Sequence, residues 1–221
     1  MFPIRSLVNN FIVVLVLAVP LMGCSRYAAH PISTGAQPPP TRVVSVSERT
    51  HGNSEPGSAY NEPLRHPLLK PRIEVWKAER KLLLFSDERV VRTYHIGLGL
   101  SPVGDKERAG DHRTPEGDFF IFIKNPKSAF YLSLGISYPN LAHARRGLRD
   151  GLITQAQYGQ IADAIKRKKG PPQNTTLGGL IYIHGNGSRT DWTWGCVALE
   201  NADVKELFDA VEVGIPVTIK P

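Results

Sequence analysis

Cysteine is scarce in this chain: 221 residues carry two, Cys24 and Cys196. A multi-bridge disulfide framework is therefore excluded, since at most one bridge could form. Membrane-spanning runs are missing too. The apolar stretch Phe11 to Val19 (FIVVLVLAV) falls well short of the about 20 residues that a bilayer core requires. No internal repeat, no metal-like cluster of His, Cys and acid, and no nucleic-acid recognition motif is visible. Acidic side chains are the minority, 20 against 27 Lys and Arg, which gives a formal net charge of +7. Such a balance favours an anionic neighbourhood, whether nucleic acid, anionic lipid or acidic wall polymer. Hydrophobic content of 41% and charged content of 21% are ordinary for a globular chain. The length suits one domain with a sizeable core and a tail.

What is present begins with a leader. Met1 to Gly23 has one basic residue, Arg5, before the apolar stretch, the proportions of a secretory signal. Leu21-Met22-Gly23-Cys24 resembles the bacterial lipobox, whose Cys becomes the lipidated first residue of the mature protein. Ser25 after that Cys leans, in that family, towards the outer membrane. The resemblance implies a signal peptide over 1–23 and a membrane partner reached through lipid on Cys24. It also implies an exported protein on the periplasmic face of the outer membrane. The alternative is a plain signal peptide with an incidental Cys. Either way, export removes nucleic acid as a partner. With Cys24 lipidated, Cys196 has no intramolecular partner, and is either a reactive thiol or a small buried hydrophobe.

Residues 24–70 are rich in Pro, Ser, Gly, Asn and Thr and lack an apolar period, so they read as a tether that cannot offset its ordering entropy. The folded domain is expected over 71–221. Ile73 and Val75 alternate with polar residues, as in a half-buried strand. Lys81 to Ser86 and Val90 to Ile96 are β-rich runs around Asp87-Glu88-Arg89, a hairpin pattern. Thr114-Pro115-Glu116-Gly117 is a turn signal leading into Phe119 to Ile123, a core strand. Tyr131 to Ile136, Leu180 to Ile183 and Ile215 to Ile219 complete the strands. The spacing predicts a mainly β (α+β) fold, a sandwich or barrel-like sheet pair.

Two stretches break that pattern. The first, 141–170, reads as a helical hairpin, with Thr154 and Gln157 as a capping box, Ile161 and Ile165 on one face, and Gly170-Pro171-Pro172 as the stop. It holds Arg145, Arg146, Arg149 and Lys166 to Lys169. A solvated face is the plain reading, and a lid meeting an acidic polymer the sharper one. The second is a C-terminal helix with Asn201 as N-cap, Val204, Leu207, Phe208 and Val211 at helical spacing, and Gly214 as the stop.

Between them sits the chemistry. Ile181-Tyr182-Ile183-His184-Gly185 places a His at the end of a buried strand, and Thr193-Trp194-Gly195-Cys196-Val197 places the thiol just after a Gly. A thiol is mostly protonated at neutral pH, so a nucleophilic Cys needs a neighbouring imidazole or helix N-terminus. Gly195 would let a carbonyl approach and leave backbone N–H groups for a developing oxyanion. Residues alone leave catalysis and a structural Cys both open. Asp111, His112 and Arg113 pose a second polar cluster, read as a solvated loop.

The His184-Gly185 pair followed by Thr193-Trp194-Gly195-Cys196-Val197 resembles the signature of the L,D-transpeptidase catalytic domain, the YkuD family. Upstream, Gly97-Leu98-Gly99, Pro102-Val103-Gly104-Asp105-Lys106, Gly110-Asp111 and Arg113-Thr114-Pro115-Glu116-Gly117 resemble its glycine-rich stretch. Ser128-Ala129-Phe130 and Ile136-Ser137-Tyr138-Pro139 follow in family order. This chain departs from many members at Trp194, where His, Arg or Lys is common, and at Ala198, where a polar or basic residue often sits; Asp191-Trp192-Thr193 and the short His-to-Cys loop resemble one branch of the family.

The resemblance implies a β-sandwich of that family with the helical hairpin insert and C-terminal helix. It implies a peptidoglycan L,D-transpeptidase, active in wall biogenesis and cell shape without cofactor or metal. Cys196 would attack the tetrapeptide stem at the diamino acid–D-Ala bond, hold a thioester and pass the acyl group to an amine acceptor. His184 would be base and then acid, with its tautomer held by the Gly185 carbonyl. The Gly195 and Cys196 amides would receive the oxyanion. Trp192, Thr193, Trp194 and Tyr182 would contact substrate. Rival readings are a hydrolase of the same fold, trimming stems or releasing wall-linked protein, and a non-catalytic peptidoglycan-binding lipoprotein.

Overall fold

Strict alternation of buried and half-buried side chains makes the first strand, β1 (Arg72–Trp76), with Ile73 and Val75 inward. It runs antiparallel to β2 (Lys81–Ser86), which turns at Asp87 and Glu88 into β3 (Arg89–His95) as the hairpin pattern required. The computed structural model describes residue 64 and residues 66–221; the leader, Cys24 and the tether up to residue 63 lie outside the described residues. The strands β4 (Gly117–Ser128), β5 (Tyr131–Ile136), β6 (Tyr182–His184), β7 (Val197–Ala198) and β8 (Pro216–Lys220) follow. They form one mixed sheet in the order β3-β2-β1-β8-β4-β5-β6-β7.

The expected pair of sheets is thus one sheet of two halves that share β4. Its residues 117–120 pair with β8, and from Ile121 onward it pairs with β5. The register slips between Ile121 and Ile123, as it does where a strand passes between sheets. That slip corrects one expectation: Phe119, Phe120 and Ile121 are buried, but Ile123 is 43% exposed and not a core residue. Both halves bury their apolar faces in a single core, which includes Leu82, Tyr94, Leu134, Ile183 and Val217.

Helix α1 (Leu141–Arg149) is capped by Asn140, whose Oδ1 accepts from the His143 N–H at 3.1 Å. Helix α2 (Gln155–Lys166) has the expected capping box: the Gln157 N–H donates to Thr154 Oγ1 at 3.2 Å, and Gln157 Oε1 accepts from the Thr154 N–H at 2.9 Å. Ala144, Ile153 and Ile161 of this hairpin enclose Leu177 in a second, smaller core. The insert braces the segment behind it, and the Tyr138 hydroxyl donates to the Leu177 carbonyl at 2.9 Å.

Helix α3 (Asn201–Ala210) packs Val204 and Leu207 into the main core. Asn201 is its first residue rather than its N-cap, because its Oδ1 accepts from the Asn186 N–H at 2.8 Å. The cap position is Glu200, whose carboxylate accepts from the Ser188 N–H instead. The helix also ends at Ala210, so Gly214 is not its stop; that Gly lies in the following turn at φ 98°. Leu180, read as strand, is exposed at φ 56°, and the strand starts at Tyr182.

Asp105 fastens α1 to the loop before β4. Its carboxylate accepts from Arg146 at 2.8 Å, from the Glu116 N–H at 2.8 Å, and meets His143 Nε2 at 3.0 Å. Burial pushes this carboxyl up, yet those three partners outweigh it and hold Asp105 well below the usual carboxylate range. A depressed carboxyl contributes stability above its unfolded value, near 3.8, and loses it as pH falls through the folded value. Asp105→Asn is therefore expected to cost about 2 kcal/mol at neutral pH by denaturant unfolding of the full chain. The cost should shrink below about pH 4, where the wild type loses the same contribution.

Candidate active site

Strand pairing brings the two reactive side chains together. β6 ends at His184, and its parallel partner β7 begins at Val197, with Ile183 opposite Val197 and His184 opposite Ala198. Cys196 therefore lies one residue before β7, level with Tyr182 at the start of β6 and two positions along the strand from His184. The excursion 185–195 closes above them. His184 and Cys196 line one cavity of about 670 Å³ together with Lys106, Phe130, Trp192 and Trp194. Thr193 lies in its wall as well, whereas Tyr182 and Gly185 do not line it.

The imidazole is held on three sides. Its Nδ1 lies 2.8 Å from the Gly185 carbonyl. A carbonyl can only accept, so Nδ1 carries the proton and Nε2 keeps its lone pair. Phe130 stacks on the ring at 4.6 Å, and Trp192 meets it edge-on at 5.5 Å. The Trp192 indole N–H is itself held by the Gly187 carbonyl at 3.0 Å. Burial lowers the His184 pKa against the opposing pull of the Gly185 carbonyl, which keeps the ring neutral at neutral pH.

The thiol is half-buried and unpaired. Its Sγ accepts from the Tyr182 N–H at 3.4 Å and lies 3.5 Å from the Leu180 carbonyl. No hydrogen bond joins Sγ to His184 among the described residues; such contacts tighten when substrate is bound. Burial pushes the thiol up to about 11, and neither the Tyr182 N–H nor the Lys106 charge offsets it. Burial thus favours the protonated thiol at rest. Both groups rest neutral.

Gly195 sits at φ 120°, and a Cβ there would lie 2.6 Å from the Arg113 carbonyl, so no other residue fits behind the thiol. Its N–H donates to Thr193 Oγ1 at 3.1 Å, and that hydroxyl donates to the Cys196 carbonyl at 2.8 Å. The Gly195 amide is thus committed within the turn. Thr193 is 4% exposed and shapes the turn, while Trp194 is 76% exposed on the cavity rim, 5.5 Å from the His112 ring. Asp191, which accepts from Arg80 at 2.7 Å and from the Leu98 N–H at 2.9 Å, fixes the start of this loop.

Asp111 is no part of a solvated loop. It accepts from Lys106 and from the Glu107, Arg108 and Arg113 N–H groups. Phe130, Lys106 and Arg80 escaped the sequence reading as site residues. Phe130 and Lys106 stood in matching motifs, but nothing local signals that either faces the cavity. Among the described residues no group of three or more His, Cys, Asp or Glu could hold a metal.

A thiol and a carbonyl-oriented imidazole on one cavity, set in a mixed sheet, can perform cysteine-dependent acyl transfer. The chain belongs to the L,D-transpeptidase catalytic domain family: the YkuD family model matches residues 70–219. Members of this family are cysteine-dependent transpeptidases that act on peptidoglycan peptide stems.

Solved structures are similar at low identity. The helical cell shape determining protein Pgp2 from Campylobacter jejuni is 24% identical over 68% of this chain and 47% of its own, with a TM-score of 0.46. The L,D-transpeptidase (residues 123–326) from Xylanimonas cellulosilytica is 19% identical over 72% and 64%, with a TM-score of 0.41. Bd1075 from Bdellovibrio bacteriovorus is 24% identical over 71% and 49%, with a TM-score of 0.46. The chain spans less than two thirds of the length of each of these three. No curated protein matches it.

A protonated resting thiol has a kinetic signature. Iodoacetamide alkylation of Cys196, followed on its peptide by mass spectrometry, is expected to keep rising between about pH 9 and 10. A plateau already reached near pH 7 would mean a preformed thiolate–imidazolium pair.

Proposed function

We propose that this protein is a peptidoglycan L,D-transpeptidase with Cys196 as nucleophile and His184 as its base. The observation that carries the reading is the 2.8 Å contact of His184 Nδ1 with the Gly185 carbonyl, which frees Nε2 on the cavity that also holds Cys196. With both groups neutral, His184 Nε2 takes the thiol proton as Sγ attacks the carbonyl of the diamino acid in a tetrapeptide stem. The Cys196 N–H receives the developing oxyanion. Collapse breaks the C–N bond, His184 returns the proton to the departing D-Ala amine, and an acyl thioester remains on Sγ. An amine acceptor then attacks the thioester, its proton passes through His184 to the thiol, and a new amide forms. Trp192 and Trp194 give the stem flat apolar support, while Thr193 and Gly195 keep the thiol at the right height. Tyr182 contributes its backbone N–H to Sγ.

The protein is further proposed to be exported and anchored by lipid on Cys24 at the periplasmic face of the outer membrane, a reading that rests on the lipobox-like sequence. Residues 24–70 serve as the tether and 71–221 as the working domain.

Mass spectrometry of the full chain incubated with tetrapeptide muropeptides tests the reaction. Cross-linked dimers formed with loss of D-Ala are expected from the wild type and from no Cys196→Ala sample. Shortened monomers alone would make the protein a hydrolase, and unchanged muropeptides would leave a binding protein. His184→Ala is expected to slow acylation by about 10²- to 10⁴-fold, the usual scale for general base catalysis. Cys24→Ser should move the protein out of the membrane fraction with its chemistry intact; continued sedimentation with membranes would refute the anchor.

A further inference from the structure

Two lysines are buried around the loop that leads to β4, and their ammonium groups are differently satisfied. Lys77 meets three acceptors: the Gly104 carbonyl at 2.6 Å, the Thr114 carbonyl at 3.0 Å and Glu116 Oε1 at 2.7 Å. An ammonium has three protons, so Lys77 is complete. Lys106 is as deeply buried but meets two acceptors, the Arg108 carbonyl at 3.0 Å and Asp111 Oδ1 at 2.6 Å. Asp111 also accepts from the N–H groups of Glu107 at 2.7 Å, Arg108 at 3.0 Å and Arg113 at 3.0 Å. Its charge is shared among four donors, and Lys106 is left with the stronger field. The third proton of Lys106 has no nitrogen or oxygen acceptor among the described residues, the Tyr138 ring standing 6.0 Å from the ammonium, and Lys106 lines the Cys196 cavity.

A second uncommitted group stands on the adjoining wall. Thr175 lines the same cavity, is 7% exposed, and its Oγ1 is buried without a hydrogen-bond partner among the described residues. Buried hydroxyls are nearly always paired, so an orphan at a cavity wall marks a place for a ligand. The two walls are joined. The Ala109 N–H donates to the Thr176 carbonyl at 2.9 Å, and a Cβ on Gly178 would lie 3.4 Å from Lys106 Cε.

An uncommitted ammonium N–H and an uncommitted hydroxyl match a group that accepts two hydrogen bonds and carries negative charge. We propose that Lys106 and Thr175 form a carboxylate subsite beside Cys196 that reads the free terminal carboxylate of the donor peptide. The inference rests on the reading of this site as one that expels a terminal amino acid. It adds the groups that tell a stem ending at that residue from one that is amidated or continues further. A neutral end would leave the ammonium unanswered in a buried wall.

Iodoacetate and iodoacetamide test the subsite without the reaction, because they share a leaving group and differ as carboxylate against amide. Rates are read on the Cys196 peptide of the full chain at pH 8 and normalised to glutathione. Wild type is expected to favour iodoacetate by about tenfold or more, the scale of one charge-assisted hydrogen bond. Lys106→Met should bring the ratio close to one, Lys106→Arg should keep most of the preference, and Thr175→Val should reduce it. A wild-type ratio near one, or an unchanged ratio in Lys106→Met, overturns the proposal. Equal loss of both rates in Lys106→Met makes Lys106 a structural residue and overturns it as well. Tetrapeptides ending in carboxylate or carboxamide extend the test to turnover. Carboxylate preference in alkylation without stem turnover would uphold the subsite and sink the transpeptidase reading. Turnover of both ends at equal rates would do the reverse.

Discussion

One strand has to serve two neighbours that ask for different registers. β4 meets β8 through residues 117–120 and β5 from Ile121 onward, and the slip between Ile121 and Ile123 reconciles them. The slip falls where the pairing of β4 passes from β8 to β5, and a bulge of this kind bends the strand from one half of the sheet into the other. His184 and Cys196 both lie downstream of that slip. β5 pairs with β6, which ends at His184, and β6 pairs with β7, which starts after Cys196. The half built from β1, β2, β3 and β8 supplies the rest of the core against which this second half is held.

The cavity owes its character to exclusion of water. Burial drives the thiol of Cys196 up and the imidazole of His184 down, so the same desolvation leaves both uncharged. An aromatic wall of Phe130 and Trp192 enforces it around the imidazole. The cavity wall also carries Lys106, whose ammonium is held by Asp111 and the Arg108 carbonyl. Neutral reactants beside a fixed ammonium make a site that responds to the charge of what enters.

Local signals in the sequence survived into the structure. The Ile73–Val75 alternation, the β2–β3 hairpin and the Thr154–Gln157 capping box each depend on neighbours a few residues away, and each stands where expected. The lone thiol and the strand-end His were legible because Cys counting and buried-strand patterning need no tertiary knowledge. What escaped depends on distant partners. Asn201 looks like an N-cap until Asn186 claims its side chain, and Gly195 looks like an oxyanion donor until Thr193 claims its amide. Lys106 reads as one more surface cation in a basic chain. Only the fold reveals that the turn at Thr175–Gly178 closes over it.

The resting protonation of Cys196 has a bearing on endurance. Oxidants attack thiolates, and a thiol at about 11 is ionised to roughly one part in 10⁴ at neutral pH. A thiol kept in that form is protected from sulfenic acid formation and from exchange with passing disulfides. An unpaired cysteine so guarded needs no partner thiol to keep it reduced, because burial withholds the form that oxidants consume.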